Sequence, residues 1–530
     1  MKLEQIIIGI LLSTIFLFSC GENKNEIDVI TPQSFSNANS NWWGAVINDG
    51  YKMPFQNGYT ASLIGNSYGN QVQPLLLSDQ GEVIWSEAPF EFQVENQITI
   101  NDQNDLVFYK KAGANLKEAF KFASEKYFPP SGKMPDKLLF SKPQYNTWIE
   151  LMYDQNEADI LKYAQAILDN KLPPGVLMID DNWQENYGKW DFHPGRFSNP
   201  KAMVDKLHEQ GFKVMVWVCP FISADSDVYR KLRDEGLLLK NEEGKAAIIR
   251  WWNGASGLLD LSNPKAVAWF KNQLDFLQKK YGVDGFKLDA GDMEFYHNVV
   301  SHIPATSAND HAQLFAKIGL DYPLNEYRVN WKMGGQPIAN RLRDKNHNWE
   351  DLTKLVPNMI MEGLMGYTFA CPDMIGGGEF KSFLKLESID QELIVRSAQC
   401  HALMPMMQFS VAPWRILDKE HLAAVLTSVT LRERFSDYIL AEAEKSAKTG
   451  EPILRSMEYE FPKSGFEKVS NQFLIGEKLL VAPIVEQGVE NVNILLPKGT
   501  WLGFDGKKYE GGQTIKLKVT LETLPFFEKE

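Results

Sequence analysis

Asp289 and Asp292 close a short apolar segment, GVDGFKLDAGD (282–292), and Lys287 stands two places before the first of them. A lysine is almost never buried without a partner. Beside a carboxylate it favours the ionised form and lowers its pKa, which is what a carboxylate nucleophile needs. A structural ion pair would use the same residues.

Other polar residues recur where apolar segments end. Asp180, Asp181 and Asn182 close GVLMIDDNW (175–183), and Trp217 lies near the end of FKVMVWVCPF (212–221). Arg328 sits in EYRVNW, Asp344 closes ANRLRD, Asp373 closes GYTFACPD and Ser410 closes LMPMMQFS. Taken singly, an acid at a strand end is as well read as a helix cap or turn former. Converging on one mouth with aromatic residues, such carboxylates suit glycoside hydrolysis. One acid attacks the anomeric carbon and the other protonates the leaving oxygen.

The elements that would bring them together follow from the rhythm of the chain. From residue 137, apolar runs alternate with helical patterns. The first is KLLFSKPQYNTW (137–148), followed by a helix near 157–170 with Ile160, Tyr163, Ala164, Ile167 and Leu168 on one face. The pentapeptide Ser-Asn-Pro-Lys-Ala occurs at 198–202 and again at 262–266. In each copy Asn can cap a helix and Pro can take its first position. Eight strand–helix units imply a parallel sheet covered on its faces. They predict a (β/α)8 TIM barrel over about 131–445, whose strand ends share one mouth. A doubly wound open sheet is the alternative, but no glycine-rich phosphate loop follows any strand.

An excursion at about 223–259 contains LLLKNEEGKAAIIRWW and predicts an inserted hairpin, from which Trp251 or Trp252 could wall the mouth or pack the hairpin core. Alternating segments before the barrel (GEVIWSE, EFQVENQITI) and after it (NQFLIGEKLLVAPIVEQGVENVNILLPKGTW) predict β-sandwiches over about 21–130 and 446–530.

The 530 residues exceed one ordinary core, so several domains are expected. The formal net charge of −13 argues against nucleic acid as a partner. Lys2, an apolar run at 6–18 and then LFSCGENKNE resemble a bacterial lipoprotein signal ending at residue 20, with Cys20 becoming the lipidated N-terminus. A cleaved signal peptide with an incidental cysteine is the plainer alternative. Lipidation implies the bacterial cell envelope, on its periplasmic or cell-surface face, with the membrane met only through the anchor. Cys219, Cys371 and Cys400 have neither disulfide nor metal-ligand spacing and read as small buried hydrophobes.

The segments together resemble glycoside hydrolase family 31. FKLDAGD resembles its nucleophile strand, which makes Asp289 the nucleophile. Arg328 precedes Asp344 by the family's interval between its substrate-binding Arg and its acid/base Asp, and RDKNHNWEDL resembles the acid/base segment, with Trp349 in place. PDMIGGG places Asp373 in the family's Asp-Ile-Gly-Gly-Phe segment, and IDDNW places Asp180 on the sugar hydroxyls. Where many members carry a sugar-binding His after strand eight, this chain has Ser410. KLDAGD, CPDMIGGG and MQFSVAPW look instead like a branch that includes α-galactosidases.

The resemblance implies a retaining exo-α-glycosidase acting on an oligosaccharide or glycoside, with α-galactosidase as the first expectation and α-glucosidase or α-xylosidase as alternatives. It implies that Asp289 and Asp344 are catalytic and that Lys287, Arg328, Asp180 and Asp373 hold the sugar. Asp181, Asn182, Trp217, Trp252 and Ser410 are further candidate sugar contacts, Arg328 could also position Asp344, and Asp292 supports from behind. Neither a cofactor nor a metal is expected for this chemistry. A non-catalytic surface glycan-binding lipoprotein is the alternative of another class.

Overall fold

The computed structural model describes residues 33–36, 40–101, 107–385, 387 and 389–530. Cys20 and the signal segment lie outside the described residues.

Eight short parallel strands form the centre: β1 (Gln144–Asn146), β2 (Val176–Ile179), β3 (Lys213–Val218), β4 (Gly285–Leu288), β5 (Asn325–Tyr327), β6 (Asn340–Arg341), β7 (Ala370–Cys371) and β8 (Gln408–Phe409). Their order is β7-β6-β5-β4-β3-β2-β1-β8. Met374 pairs in parallel with Gln408, and Ile375 N donates to Gln408 O at 2.8 Å, which brings the two edges of the sheet together. The barrel expectation holds, and each of the eight apolar runs contributes one strand.

The first run departs in detail. Leu138–Ser141 is a helical turn, and β1 begins only at Gln144. Pro143 forces Lys142 into an extended conformation, which ends the turn and starts the strand. The repeated pentapeptides behave as expected. Asn199 and Asn263 cap helices Pro200–Glu209 and Pro264–Tyr281, each with Pro in the first turn. Helix Glu157–Asp169 buries Ile160, Tyr163, Ala164 and Ile167 against the barrel, with Leu168 packed at the edge of that core.

Two four-stranded antiparallel sheets precede the barrel and share a core that includes Trp42, Val46, Leu76, Ile84, Phe92 and Ile98. Strand Val72–Ser78 is buried throughout, because its second face (Leu75, Leu77) packs with helix Leu116–Tyr127 (Leu116, Phe120). A β-rich module follows the long helix Lys419–Thr449, built on a six-stranded sheet and the pair Asn491–Leu496 and Gln513–Lys518 around Trp501, Leu474 and Phe527.

Within LLLKNEEGKAAIIRWW the expected hairpin is a single antiparallel pairing, Lys240 with Ala246, and a longer hairpin follows it. Ile249–Trp251 pairs with Gly254–Leu258, which pairs with Phe221–Ser223, so Trp252 and Asn253 form the hairpin tip. Among the described residues, Cys219, Cys371 and Cys400 are buried free thiols, and no helix is long and apolar enough to cross a membrane.

Candidate active site

The C-terminal ends of the strands enclose a cavity of about 550 Å³. In a strand, residues two apart face the same side. Lys287 and Asp289 therefore share a face, and Trp217 and Glu326 stand beside Lys287 in register on β3 and β5.

Asp289 accepts three hydrogen bonds. Its Oδ1 accepts from Arg328 Nε at 3.0 Å and from Ala290 N at 2.8 Å, and its Oδ2 accepts from Trp217 Nε1 at 3.2 Å. Burial alone would push its pKa up. Arg328, Lys287 and Arg341 outweigh burial and hold it far below the usual carboxylate value. Arg328 is fixed in turn by Asp292, which takes Nη1 at 2.9 Å and Nη2 at 2.6 Å, and by the Gly69 carbonyl at 3.0 Å. Asp292 thus acts through Arg328, although it also lines the cavity.

Lys287 Nζ reaches across to Asp180 Oδ2 at 2.6 Å. Asp181 accepts from Asn253 Nδ2 at 2.6 Å and from Tyr187 Oη at 3.1 Å. Burial and the neighbouring Asp180 push the Asp181 carboxyl up to about 7.

Asp344 stands on the far wall with 41% of its side chain exposed. Arg341 Nη1 donates to Asp344 Oδ1 at 2.6 Å and to Asp373 Oδ1 at 2.8 Å. Enclosure raises the pKa of Asp344, and Arg341 and Lys287 more than reverse this, so it lies below the ordinary value. Asp373, wholly buried, is pushed up to about 6 by burial and by the charge of Asp344, against Arg341.

The fold therefore gathers Asp180, Asp181, Trp217, Trp252, Lys287, Asp289, Asp292, Arg328 and Asp344 around one space. Trp252, 49% exposed, lies with its ring centroid 5.5 Å from Arg328 Cζ, whereas Trp251 packs on Phe221 in the hairpin core.

Three expected sugar contacts do not line the cavity. Asn182 turns its amide to the Tyr153 carbonyl. Ser410 is buried, and its hydroxyl accepts from Ile149 N at 2.8 Å. Asp373 lies beneath the floor, accepting from Lys345 N at 2.9 Å and Gly378 N at 3.1 Å. The expected positioning of Asp344 by Arg328 is also corrected. Arg328 is committed to Asp289 and Asp292, and Arg341 holds Asp344.

Several lining residues were not anticipated. Arg341 is a buried cation in a buried strand, so the logic applied to Lys287 would have found it. Trp148 and Phe380 open the short helical turns Trp148–Leu151 and Phe380–Phe383, Tyr153 follows the first of these, and Gly69 lies between two strands of the N-terminal module; none carries a local signal.

An ionised carboxylate, a half-exposed second carboxylate and paired acids with aromatic walls form a set able to bind a polyol and exchange a glycosyl group. Comparison with known proteins agrees. The family model described as the glycosyl hydrolases family 31 TIM-barrel domain matches residues 134–340, and that of the family's C-terminal domain matches 450–530. The chain is 30% identical over 420 residues to the myogenesis-regulating glycosidase of Mus musculus, which covers 77% of this chain and 58% of that protein. It is 25% identical to the α-xylosidase of Emericella nidulans, covering 85% of this chain and 60% of that protein. It thus spans about three fifths of the length of these relatives. The structure of a Flavobacterium johnsoniae family 31 dextranase complexed with glucose superposes with a TM-score of 0.82 over 93% of this chain and 66% of that one, at 22% identity, a likeness of fold. With both its barrel and its C-terminal module matched, the chain belongs to glycoside hydrolase family 31.

Proposed function

We propose that this chain is an exo-acting, retaining α-glycosidase. The carrying observation is Asp289, held ionised by Arg328 and oriented by Trp217 in the same cavity as the half-exposed Asp344. Asp289 attacks the anomeric carbon while Asp344 gives its proton to the leaving oxygen, and Asp344 then takes a proton from the incoming water. A substrate lying over Asp344 strips water from its carboxyl and raises its pKa, the direction a general acid needs. Lys287, Asp180, Asp181 and Trp252 hold the terminal sugar.

For that sugar, α-galactose is our first assignment. Its support is the branch-like segments around Asp289, Asp373 and Ser410, together with the Asp180–Asp181 pair available to an axial hydroxyl. α-Xylose and α-glucose form the second assignment, supported by the Emericella α-xylosidase and the glucose-complexed dextranase. We also propose lipid anchoring at the cell envelope through Cys20, supported by LFSCGENKNE and tested by detergent partitioning of wild type against Cys20→Ala.

The test of function is turnover of matched aryl α-galactoside, α-glucoside and α-xyloside by wild type and Asp289→Ala, with NMR of the first-formed anomer. Retention, lost with Asp289→Ala, supports the mechanism, and the preferred substrate fixes the sugar. An inverted product overturns it. Sugar binding without turnover would support the glycan-binding alternative.

A further inference from the structure

Arg343 and Asp344 bound one side of the cavity over Asp289. A second cavity of about 190 Å³ opens beside it, and Arg343 and Asp344 line both. Its walls come from the turn Ile47–Lys52 of the N-terminal module, from residues 345–346, and from helix Trp349–Leu364.

This second space is rich in unengaged donors. Among the described residues the Arg343 guanidinium and the Lys345 ammonium make no ion pair or hydrogen bond; their backbone amides alone donate, to Asn70 Oδ1 at 2.6 Å and Asp373 Oδ2 at 2.9 Å. Arg343 lies alongside Gly69. Asn358 is only 4% exposed, yet its Nδ2 donates to no described residue, while its Oδ1 accepts from Tyr51 N at 3.3 Å. The two acids that line this space, Asp344 and Asp351, are already occupied. Asp351 Oδ2 accepts from Asn346 N at 2.8 Å and Nδ2 at 2.9 Å, and Asp344 holds Arg341.

The position has a chemical meaning that rests on the assignment of Asp344 as proton donor. The leaving oxygen must lie at Asp344, so the leaving group extends past the Arg343–Asp344 segment into this second space. We infer that it is a leaving-group subsite selective for an anionic sugar, one bearing a carboxylate or a sulfate ester. Arg343 offers a planar two-pronged donor, Lys345 a point charge and Asn358 a fixed amide, and anionic oxygens use all three. A neutral sugar would leave the Arg343 guanidinium to water, whereas the Lys345 ammonium also faces the charges of Asp373, Glu362 and Asp351.

The test compares kcat/KM for disaccharides in which one terminal α-sugar is joined to glucose, to glucuronic acid or to glucose 6-sulfate, using wild type, Arg343→Met and Lys345→Met. Intrinsic leaving-group reactivity cancels when each variant is compared with wild type on the same substrate. Wild type should prefer an anionic acceptor, and the anionic-to-neutral ratio should fall about tenfold or more in each variant. Preference for glucuronate over sulfate, or the reverse, identifies the anion. A wild-type ratio at or below one, or one that neither variant changes, overturns the inference while hydrolysis stands. If no α-glycoside turns over, the function above fails. Calorimetric titration with free glucuronate and with sulfate then decides the subsite. Saturable binding lost in Lys345→Met upholds an anion site, and no binding by wild type overturns it.

Discussion

Lys287 pairs with Asp180 and not with Asp289: its Nζ lies 2.6 Å from Asp180 Oδ2, and both side chains are almost wholly buried. The lysine on β4 therefore acts on Asp289 through space, after Arg328, while its hydrogen bond crosses to Asp180 on β2.

That pairing sets a stability prediction. Lys287→Met leaves Asp180 as a buried charge without its partner, which costs on the order of 3–5 kcal/mol. Adding Asp180→Asn removes the stranded charge, so the double variant should unfold more easily than wild type by clearly less than the sum of the singles. Denaturant unfolding of the four proteins measures the coupling. Simple additivity would mean that the pair is not the interaction holding either residue.

Arg328 should set the acidic limb of activity. It is the largest of the charges that keep Asp289 ionised, and Asp292 fixes it with two hydrogen bonds. Lysine keeps the charge but cannot reproduce that fork. Arg328→Lys should raise the Asp289 pKa and move the acidic limb of kcat/KM to higher pH by about one unit, because the attack proposed for Asp289 needs it ionised. An unmoved limb with reduced kcat would assign Arg328 to sugar binding alone.

Much of this site was legible because parallel strands buried on both faces give continuous apolar runs, and a polar residue ending such a run has few places to go. Asp180, Asp289 and Asp344 were found that way, and all three line the cavity. Ser410 shows the limit. Its position marks a strand end, but its hydroxyl turns back to Ile149 N, a direction that no local pattern specifies. Gly69 shows another, since it meets Arg328 from 259 residues away and contributes only a carbonyl. KLLF shows a third, because a short apolar run fits strand and helix equally, and Pro143 decides between them.

Gly378 keeps two acids together by having no side chain. A Cβ there would lie 2.8 Å from Asp373 Oδ1 and 2.9 Å from Asp344 Oδ1, closer than real contacts allow. Gly378→Ala must displace at least one carboxylate from Arg341. A misplacement of that size in a proton donor costs about 10²-fold in kcat, with the larger effect on substrates whose leaving group needs protonation. Comparable kcat losses for activated aryl and sugar leaving groups would show that Asp344 had not moved in its role as acid.

Asp181 should make the stability of the protein depend on pH near neutrality. Its carboxyl is pushed up to about 7 by burial and by the adjacent Asp180, and hydrogen bonds from Tyr187 and Asn253 only partly oppose this. An aspartate in the unfolded chain titrates near about 3.9. Between those values the folded protein binds a proton that the unfolded chain does not, so stability falls as pH rises. The contribution is complete below about pH 4, declines through about pH 7 and then stays lost. Asp181→Asn cannot titrate. Its unfolding free energy relative to wild type should therefore improve on going from pH 4.5 to 8.5, by on the order of a few kcal/mol. Guanidinium unfolding at four pH values would show it. A difference independent of pH would place the Asp181 pKa at its ordinary value and leave the carboxylate ionised wherever the enzyme works.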